Sequence, residues 1–366
     1  MATAINPPEE PVAECISEVK RYFEISEEAS RVSHNAAEIK IVEPKGRMPW
    51  STNLNLAYRS LVKKGCYPRL TIRRNGIFLL LLKKGEDKSK LTLGAVLAVT
   101  TLVLVYISGD ALTSEVAPSK SLAWTPLGYL VALLVPLIIH ELGHWFTLKK
   151  FSTPASIPYL LPAPPLQLGF LGTFGAIINL RWLPPNTRGL VLSAVMGPLA
   201  GFLAAIPFAL WGVKTSIVLP ASAVSGVIPL VPLVYMLIPP PAPVGPHEVL
   251  VLSPVGFAAY VVFFVTFLNL IPVATLDGGH VIRGILGYRG HKVVSYLTVG
   301  ILLLASARWP MLTLFSLLAL FFLYSQRRGH PGTAMGVTSS RDPVVALAGV
   351  VYVVLLVLTL PVPITG

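Results

Sequence analysis

The sequence predicts a polytopic α-helical membrane protein, with about seven spans plus re-entrant elements and a small α+β domain in its N-terminal part. Three observations lead there. Hydrophobic residues make up 54% of the 366 and charged residues only 13%, far from the balance of a water-soluble domain. Charge is also unevenly spread: residues 1–90 hold sixteen Lys/Arg and eleven Asp/Glu, the other 276 only thirteen and six. Past residue 90, apolar runs of 17 to 23 residues recur, which is the length a helix needs to cross hydrocarbon. The net charge of +12 divides into +5 and +7 without the dense basic runs of a nucleic-acid binder, so that class is excluded.

Residues 1–10 read as a disordered tail, with Pro7, Pro8, Glu9 and Glu10 where a cleaved signal would be apolar. Residues 11–85 read as a small cytoplasmic α+β domain. In it, 11–23 and 54–64 have the apolar spacing of amphipathic helices, and 38–42 that of a short strand. Arg69–Arg73 and Ile77–Leu82 are β-rich runs joined by Asn75-Gly76, a hairpin signal because both turn positions favour positive φ. Cys15 and Cys66 show no C-x-x-C spacing and are expected as free thiols in a reducing compartment.

After a charged linker at 83–90, spans are expected at 91–108 and 127–148. Prolines break 151–188, where Gly169–Ile177 is expected to dip into the bilayer as a strand and turn, or to tuck against the helices as a loop. A span at 189–211 contains Gly197-Pro198-Leu199-Ala200-Gly201, small residues that allow close helix approach. Further spans are read at 249–270 and 344–360, with 293–307 and 311–324 as a helical hairpin around Arg308-Trp309-Pro310. The apolar stretch 216–238 is interrupted by Pro220, Pro229 and Pro232.

Within the second span lies His140-Glu141-Leu142-Gly143-His144. On a helix the two histidines are one turn apart on one face, so both can hold one zinc ion, and Glu141 suits the role of base for a zinc-bound water. A packed helix that happens to carry these residues is the bland alternative. It would leave three ionisable side chains in an apolar segment without a purpose, and such groups are costly in lipid.

Zinc that keeps a position for water needs a third protein ligand. Past residue 90 few candidates exist. Asp110 and Glu115 fall in the outer loop, and Asp342 is better explained as a helix N-cap. Asp277 ends an apolar span and is followed by Gly278 and Gly279, which let the backbone bend close to the metal. Asp277 shares a side with the histidines only if 216–238 is re-entrant or interfacial. That arrangement leaves ten Lys/Arg of the membrane part inside and three (Lys120, Lys214, Arg308) outside, as the positive-inside rule requires.

These residues resemble the site-2 protease family of intramembrane zinc metalloproteases. The resemblance rests on His140-Glu141-Leu142-Gly143-His144 and on Asn269-x-x-Pro272-x-x-x-Leu276-Asp277-Gly278-Gly279, with Gly169–Ala176 and Gly197-Pro198 between them. It covers about residues 125–290 and, lacking a PDZ-like insertion, is similar to the archaeal and plastid-type branch. It implies His140, His144 and Asp277 as ligands of one Zn2+ per chain and Glu141 as catalytic base. It implies a substrate-binding role for Asn269, whose amide would hold the scissile carbonyl or bond a broken helix carbonyl near Pro272. Gly172, Thr173, Phe174 and Gly175 would offer a strand edge to an extended substrate. Residues 91–290 would then form the protease core and 291–366 C-terminal transmembrane segments, read either as a gate or as a homo-oligomer surface. The expected function is endopeptidase cleavage of transmembrane protein substrates at the lipid bilayer. The expected location is the plasma membrane of a prokaryote, with the N-terminal domain and active site on the cytoplasmic side. A catalytically silent membrane scaffold or chaperone, and a transporter, are the alternatives.

Overall fold

The computed structural model describes residues 12–46, 49–84, 91–114, 121–224, 230–309, 312–326, 329–336 and 342–363. The tail at 1–10 and most of the 83–90 linker lie outside them.

The N-terminal part runs α1 (Ala13–Tyr22), β1 (Phe23–Ser33), β2 (Ala36–Pro44), α2 (Trp50–Lys63), β3 (Cys66–Arg73) and β4 (Gly76–Lys83). The strands form one antiparallel sheet in the order β1-β2-β4-β3. Alternation along β2 and β4 sends Ala37, Ile39, Ile41, Leu79 and Leu81 to one face, where they pack on Val19, Tyr58 and Leu61 of the two helices. The sequence reading places no strand at β1, because Glu24, Ser26, Glu27 and Glu28 hide its alternation. Pairing with β2 supplies the order instead. The β3–β4 hairpin closes on the pair Arg73–Gly76, so its loop is Arg74-Asn75, one residue earlier than the Asn-Gly signal suggests. Gly76, at φ 138°, takes the special conformation.

The expectation of free thiols is corrected. Cys15 and Cys66 form a disulfide, with their Cα atoms 5.7 Å apart. Packing of α1 over the start of β3 brings together two residues 51 apart, which spacing rules do not reveal.

The rest is mostly helical: α3 (Leu91–Ser114), α4 (Pro126–Lys150), α5 (Thr187–Lys214), the short α6 (Leu233–Met236), α7 (Pro254–Leu270), α8 (Asp277–Arg308), α9 (Thr313–Ser325) and α10 (Pro343–Thr359). Among the described residues, α3, α4, α5 and α8 are long and apolar enough to cross a membrane. Shorter strands are β5 (Tyr159–Pro162) paired with β6 (Thr173–Ile177), β7 (Ile217–Pro220) with β9 (Glu248–Val251), and β8 (Leu230–Pro232) with β10 (Pro361–Pro363). No spanning helix occupies the described part of 216–238, so α5 and α7 meet on one side of the bundle. Helix α7 then leads back to Asp277.

Side-chain caps fix where the helices start. Thr125, Asn186, Ser253 and Asp342 accept from backbone N–H groups of α4, α5, α7 and α10. Asp342 also receives a two-pronged bond from Arg188 on α5, at 2.7 and 2.9 Å. Helices α4, α5 and α7 share the main core, with Leu133, Phe202 and Phe263 among its buried members. At Gly172 (φ 80°) a Cβ would stand 2.6 Å from the Leu104 carbonyl, so only glycine lets the β5–β6 hairpin lie on α3. The hairpin predicted at 293–324 differs in its first arm. There, α8 continues from Asp277 to Arg308, interrupted only by non-helical Gly287. The sheet is joined to the helical part at 182–185 and 334–335. Trp182 Nε1 donates to the Pro68 carbonyl, Tyr58 Oη to that of Leu183, and Leu70 N to that of Ala334.

Candidate metal centre

His140 and His144 sit on successive turns of α4, and the start of α8 brings Asp277 against them. The two Nε2 atoms are 3.1 Å apart. Asp277 Oδ2 lies 3.6 Å from His140 Nε2 and 3.4 Å from His144 Nε2. Nitrogen and oxygen donors at about 2.0–2.1 Å around a tetrahedral zinc stand about 3.3 Å from one another. The observed triangle brackets that figure, so this donor set fits zinc in size and chemistry. Glu141 Oε1 is 4.0 Å from His140 Nε2, beside the donors. His140, Glu141 and His144 group as a candidate metal site. The four side chains are only 7–16% exposed, so access is narrow.

The histidines are seated by glycines. A Cβ at Gly197 would lie 2.1 Å from His144 Nε2, and one at Gly201 would lie 2.8 Å from His140 Cβ. A Cβ at Gly143 would stand 2.4 Å from the Met196 carbonyl. Helices α4 and α5 therefore cross in backbone contact, and the rings occupy the space the missing side chains leave. The signal was present in the sequence: His140/His144 and Gly197/Gly201 have the same four-residue spacing, read in opposite directions on antiparallel helices. His144 Nδ1 is 2.6 Å from the Ser193 carbonyl. With Nδ1–H donated there, Nε2 is left with its lone pair toward the donor triangle.

Asp277 reaches the site through a tight turn at 271–276. Gly278 and Gly279 serve proximity, since neither has positive φ. A Cβ at Gly278 would be 2.0 Å from the Leu270 carbonyl and one at Gly279 2.3 Å from that of Ala274. This corrects the expectation that they bend the chain. The turn is tied to α8 by His291 Nε2, donating to the Ala274 carbonyl at 2.9 Å, and by Ser295 Oγ, donating to that of Pro272 at 3.1 Å. Sequence reasoning missed both ties.

Of the other residues singled out, Asn269 is half-buried in the last turn of α7. Gly172 precedes β6, with Thr173, Phe174 and Gly175 in it. The Thr173 hydroxyl is engaged by the Leu161 carbonyl and by Gly175, so it holds the hairpin together. Phe174 is 64% exposed and Gly175 is at φ 96°.

Residues 128–307 match Peptidase family M50. The chain is 28% identical over 179 residues to the probable zinc metalloprotease EGY1, chloroplastic, of Arabidopsis thaliana, a match covering 44% of this chain and 30% of that protein. It is 26% identical over 242 residues to the probable zinc metalloprotease EGY2, chloroplastic, of the same plant, covering 64% and 42%. A third relative, EGY1 of Oryza sativa subsp. japonica, is 29% identical over 175 residues, covering 44% and 28%. The chain thus spans less than half the length of these relatives. Their chloroplastic names lend no support to a prokaryotic plasma membrane. No solved structure matches the chain.

Proposed function

We propose that this chain, whose residues 128–307 form a peptidase family M50 domain of the site-2 protease type, is a zinc-dependent endopeptidase that cuts membrane-anchored proteins within or near the bilayer. One observation carries the reading. Two imidazole nitrogens and a carboxylate oxygen stand 3.1–3.6 Å apart in an apolar helix bundle, with a second carboxylate beside them.

In this reading His140, His144 and Asp277 hold the metal. Zinc, when bound, supplies Lewis-acid chemistry that makes water acidic near neutral pH and draws charge from the scissile carbonyl. Glu141 moves protons: its carboxylate takes one from the attacking water and passes it to the leaving amine. Packing on Gly197 and Gly201, with the bond to the Ser193 carbonyl, holds the imidazoles in place throughout. The substrate must enter unwound, because helical carbonyls are otherwise engaged. A free edge of the β5–β6 pair suits an extended backbone, and Asn269 suits the substrate's polar groups.

We read residues 11–85 as a separate domain, supported by the packing of α1 and α2 on the four-stranded sheet around one buried cluster, to which Trp182, Leu183, Ala334 and Met335 of the helical part also contribute. The reading of 91–290 as protease core, with later transmembrane segments making up about seven spans, is supported by the break at Gly287. Lys149 and Lys150 end α4 on the side where 182–185 meets the sheet, which supports a sheet and metal centre on the positively charged, cytoplasmic-type face.

The test is zinc analysis together with cleavage of a model transmembrane substrate. Glu141→Gln is expected to keep zinc and lose cleavage, and Asp277→Ala to lose zinc. Cleavage at the wild-type rate by Glu141→Gln would remove Glu141 as the base, whereas no cleavage by the zinc-loaded wild type, with function in the cell unchanged in Glu141→Gln, would leave a scaffold as the better reading.

A further inference from the structure

Three of the seven histidines meet outside the donor set: His280 and His291 on α8, and His330 after α9. Ring centroids are 4.7 Å apart for His280 and His330, and 5.0 Å for His291 and His330. The hydrogen bonds give this cluster a direction. Gly332 N–H donates to His330 Nδ1 at 3.0 Å, so that nitrogen carries a lone pair and the ring proton sits on Nε2. His330 Nε2 is 2.8 Å from His280 Nδ1. It therefore donates, His280 Nδ1 accepts, and the proton of neutral His280 is fixed on Nε2. Both nitrogens of His330 are thus in use, which excludes it as a metal ligand in this arrangement. Gly332, at φ 76°, is what turns its amide into the ring.

His280 stands three residues after Asp277 on α8, one turn along the same face. It is half-buried, its Nδ1 is turned toward His330, and Nε2 is on the opposite side of the ring. Asp277 lies on that same helix face. Arg283 on α8 packs on the far side, where a Cβ at Gly332 would be 3.0 Å from its guanidinium, and His291 is held by the Ala274 carbonyl.

We propose that His280 is a neutral hydrogen-bond donor of the active site, offering Nε2–H to the scissile carbonyl oxygen as it gains negative charge, and that His330 is the positioning residue that fixes its tautomer. This rests on the protease reading above. A donor set in place before charge develops is worth more than one that must reorient, and removing one such donor lowers kcat about 100- to 1000-fold. The imidazole must be held as donor rather than acceptor, and the Gly332–His330–His280 chain does that.

The test has two arms on zinc-loaded full-length protein. Nitrogen-15 NMR of the histidine rings reads the tautomer without reference to activity. His280 is expected with a bare Nδ1 and a protonated Nε2, and in His330→Ala that preference is expected to be lost. A protonated Nδ1 on wild-type His280 would overturn the proposal. In the kinetic arm, His280→Ala is expected to keep zinc and KM and to lose kcat about 100-fold or more. His280→Gln, which retains an N–H donor, should recover part of that loss, and His330→Ala should fall between. Zinc-replete His280→Ala with wild-type kcat would also overturn it. A wild-type protein that cleaves nothing would count against the protease reading instead, and the tautomer arm would still decide whether His280 is held as a donor.

Discussion

Adding one methyl group at Gly197 tests whether the histidines are seated as described. Its Cβ would stand 2.1 Å from His144 Nε2 and 2.4 Å from Cδ2 and Cε1. Ordinary carbon contacts begin at about 3.5 Å, so the ring and the new carbon must separate by roughly 1.4 Å. Moving the helices apart instead would open the close packing of Gly143 on the Met196 carbonyl and of Gly201 on His140 along the whole crossing. The ring must therefore leave its place, taking Nε2 more than 1 Å out of a donor triangle whose edges are 3.1–3.6 Å. A misplacement of that size costs about 100-fold in rate, and overpacking costs about 1–3 kcal/mol in stability. Gly197→Ala is thus expected to fold, to hold less than stoichiometric zinc and to cleave at least about 100-fold more slowly. Zinc analysis, thermal unfolding and substrate cleavage on one preparation check this. Gly201→Ala should be milder, since its nearest contact, His140 Cβ, is at 2.8 Å and needs a smaller shift. Gly300→Ala on α8 meets nothing within 4 Å and should be neutral or slightly stabilising. Gly197→Ala with full zinc and wild-type kcat would refute the seating argument.

Reducing the Cys15–Cys66 bond, which closes a 51-residue separation, should lower the stability of the sheet by about 4 kcal/mol, read as lost amide-exchange protection over 13–83. Unchanged protection under reductant would show the bond to be dispensable. Glu18 is almost wholly buried and held below the usual carboxylate range, first by the bond from Lys64 at 2.8 Å and then by Ser60 at 2.6 Å. Because its folded-state pKa is depressed, its contribution is present above the unfolded value near about 4.3 and is lost as pH falls through the folded one. Sheet stability should hold from pH 7 to about 5 and fall below about 4, while Glu18→Gln flattens that fall. An acid profile identical to wild type in Glu18→Gln would contradict the assignment. Tyr352 Oη donates to the Leu270 carbonyl at the end of α7, so Tyr352→Phe should cost about 0.5–1.5 kcal/mol in unfolding assays, and no loss would mean the carbonyl finds another donor.

The legible parts of this chain are those in which one helix or one short run decides the outcome. His140, Glu141 and His144 come together on any α-helix, and the long apolar runs read directly as helices. Asp277 was reached by elimination among few acids, together with the requirement that it arrive on the same side. Its neighbours were harder to read: Gly278 and Gly279 look like flexibility in the sequence and prove to be close contacts with Leu270 and Ala274. The Cys15–Cys66 bond and the His280–His330 contact are made by partners distant in sequence, whereas β1 pairs with the adjacent β2. No local pattern announces them, and the charged residues of β1 mask its period.

The two halves of the candidate centre are held by different mixtures of packing and hydrogen bonding. On the α4–α5 side the rings are located chiefly by steric exclusion, packed on Gly197 and Gly201 where the helix backbones meet at Gly143 and Met196, with one hydrogen bond from His144 to the Ser193 carbonyl. On the α8 side Gly278 and Gly279 also pack on backbone, and the turn that delivers Asp277 is tied in addition by hydrogen bonds, from His291 to the Ala274 carbonyl and from Ser295 to that of Pro272. Steric seats fail abruptly when filled, whereas hydrogen-bonded turns weaken one bond at a time, each worth about 1 kcal/mol. That difference suits a site buried among apolar helices. Ionisable groups are costly in lipid, so the pair on one helix is fixed rigidly. The third donor arrives on a segment that must first leave α7 and turn back. Ala274, at φ 55°, is the strained residue in that turn, and His291 holds its carbonyl where the start of α8 needs it.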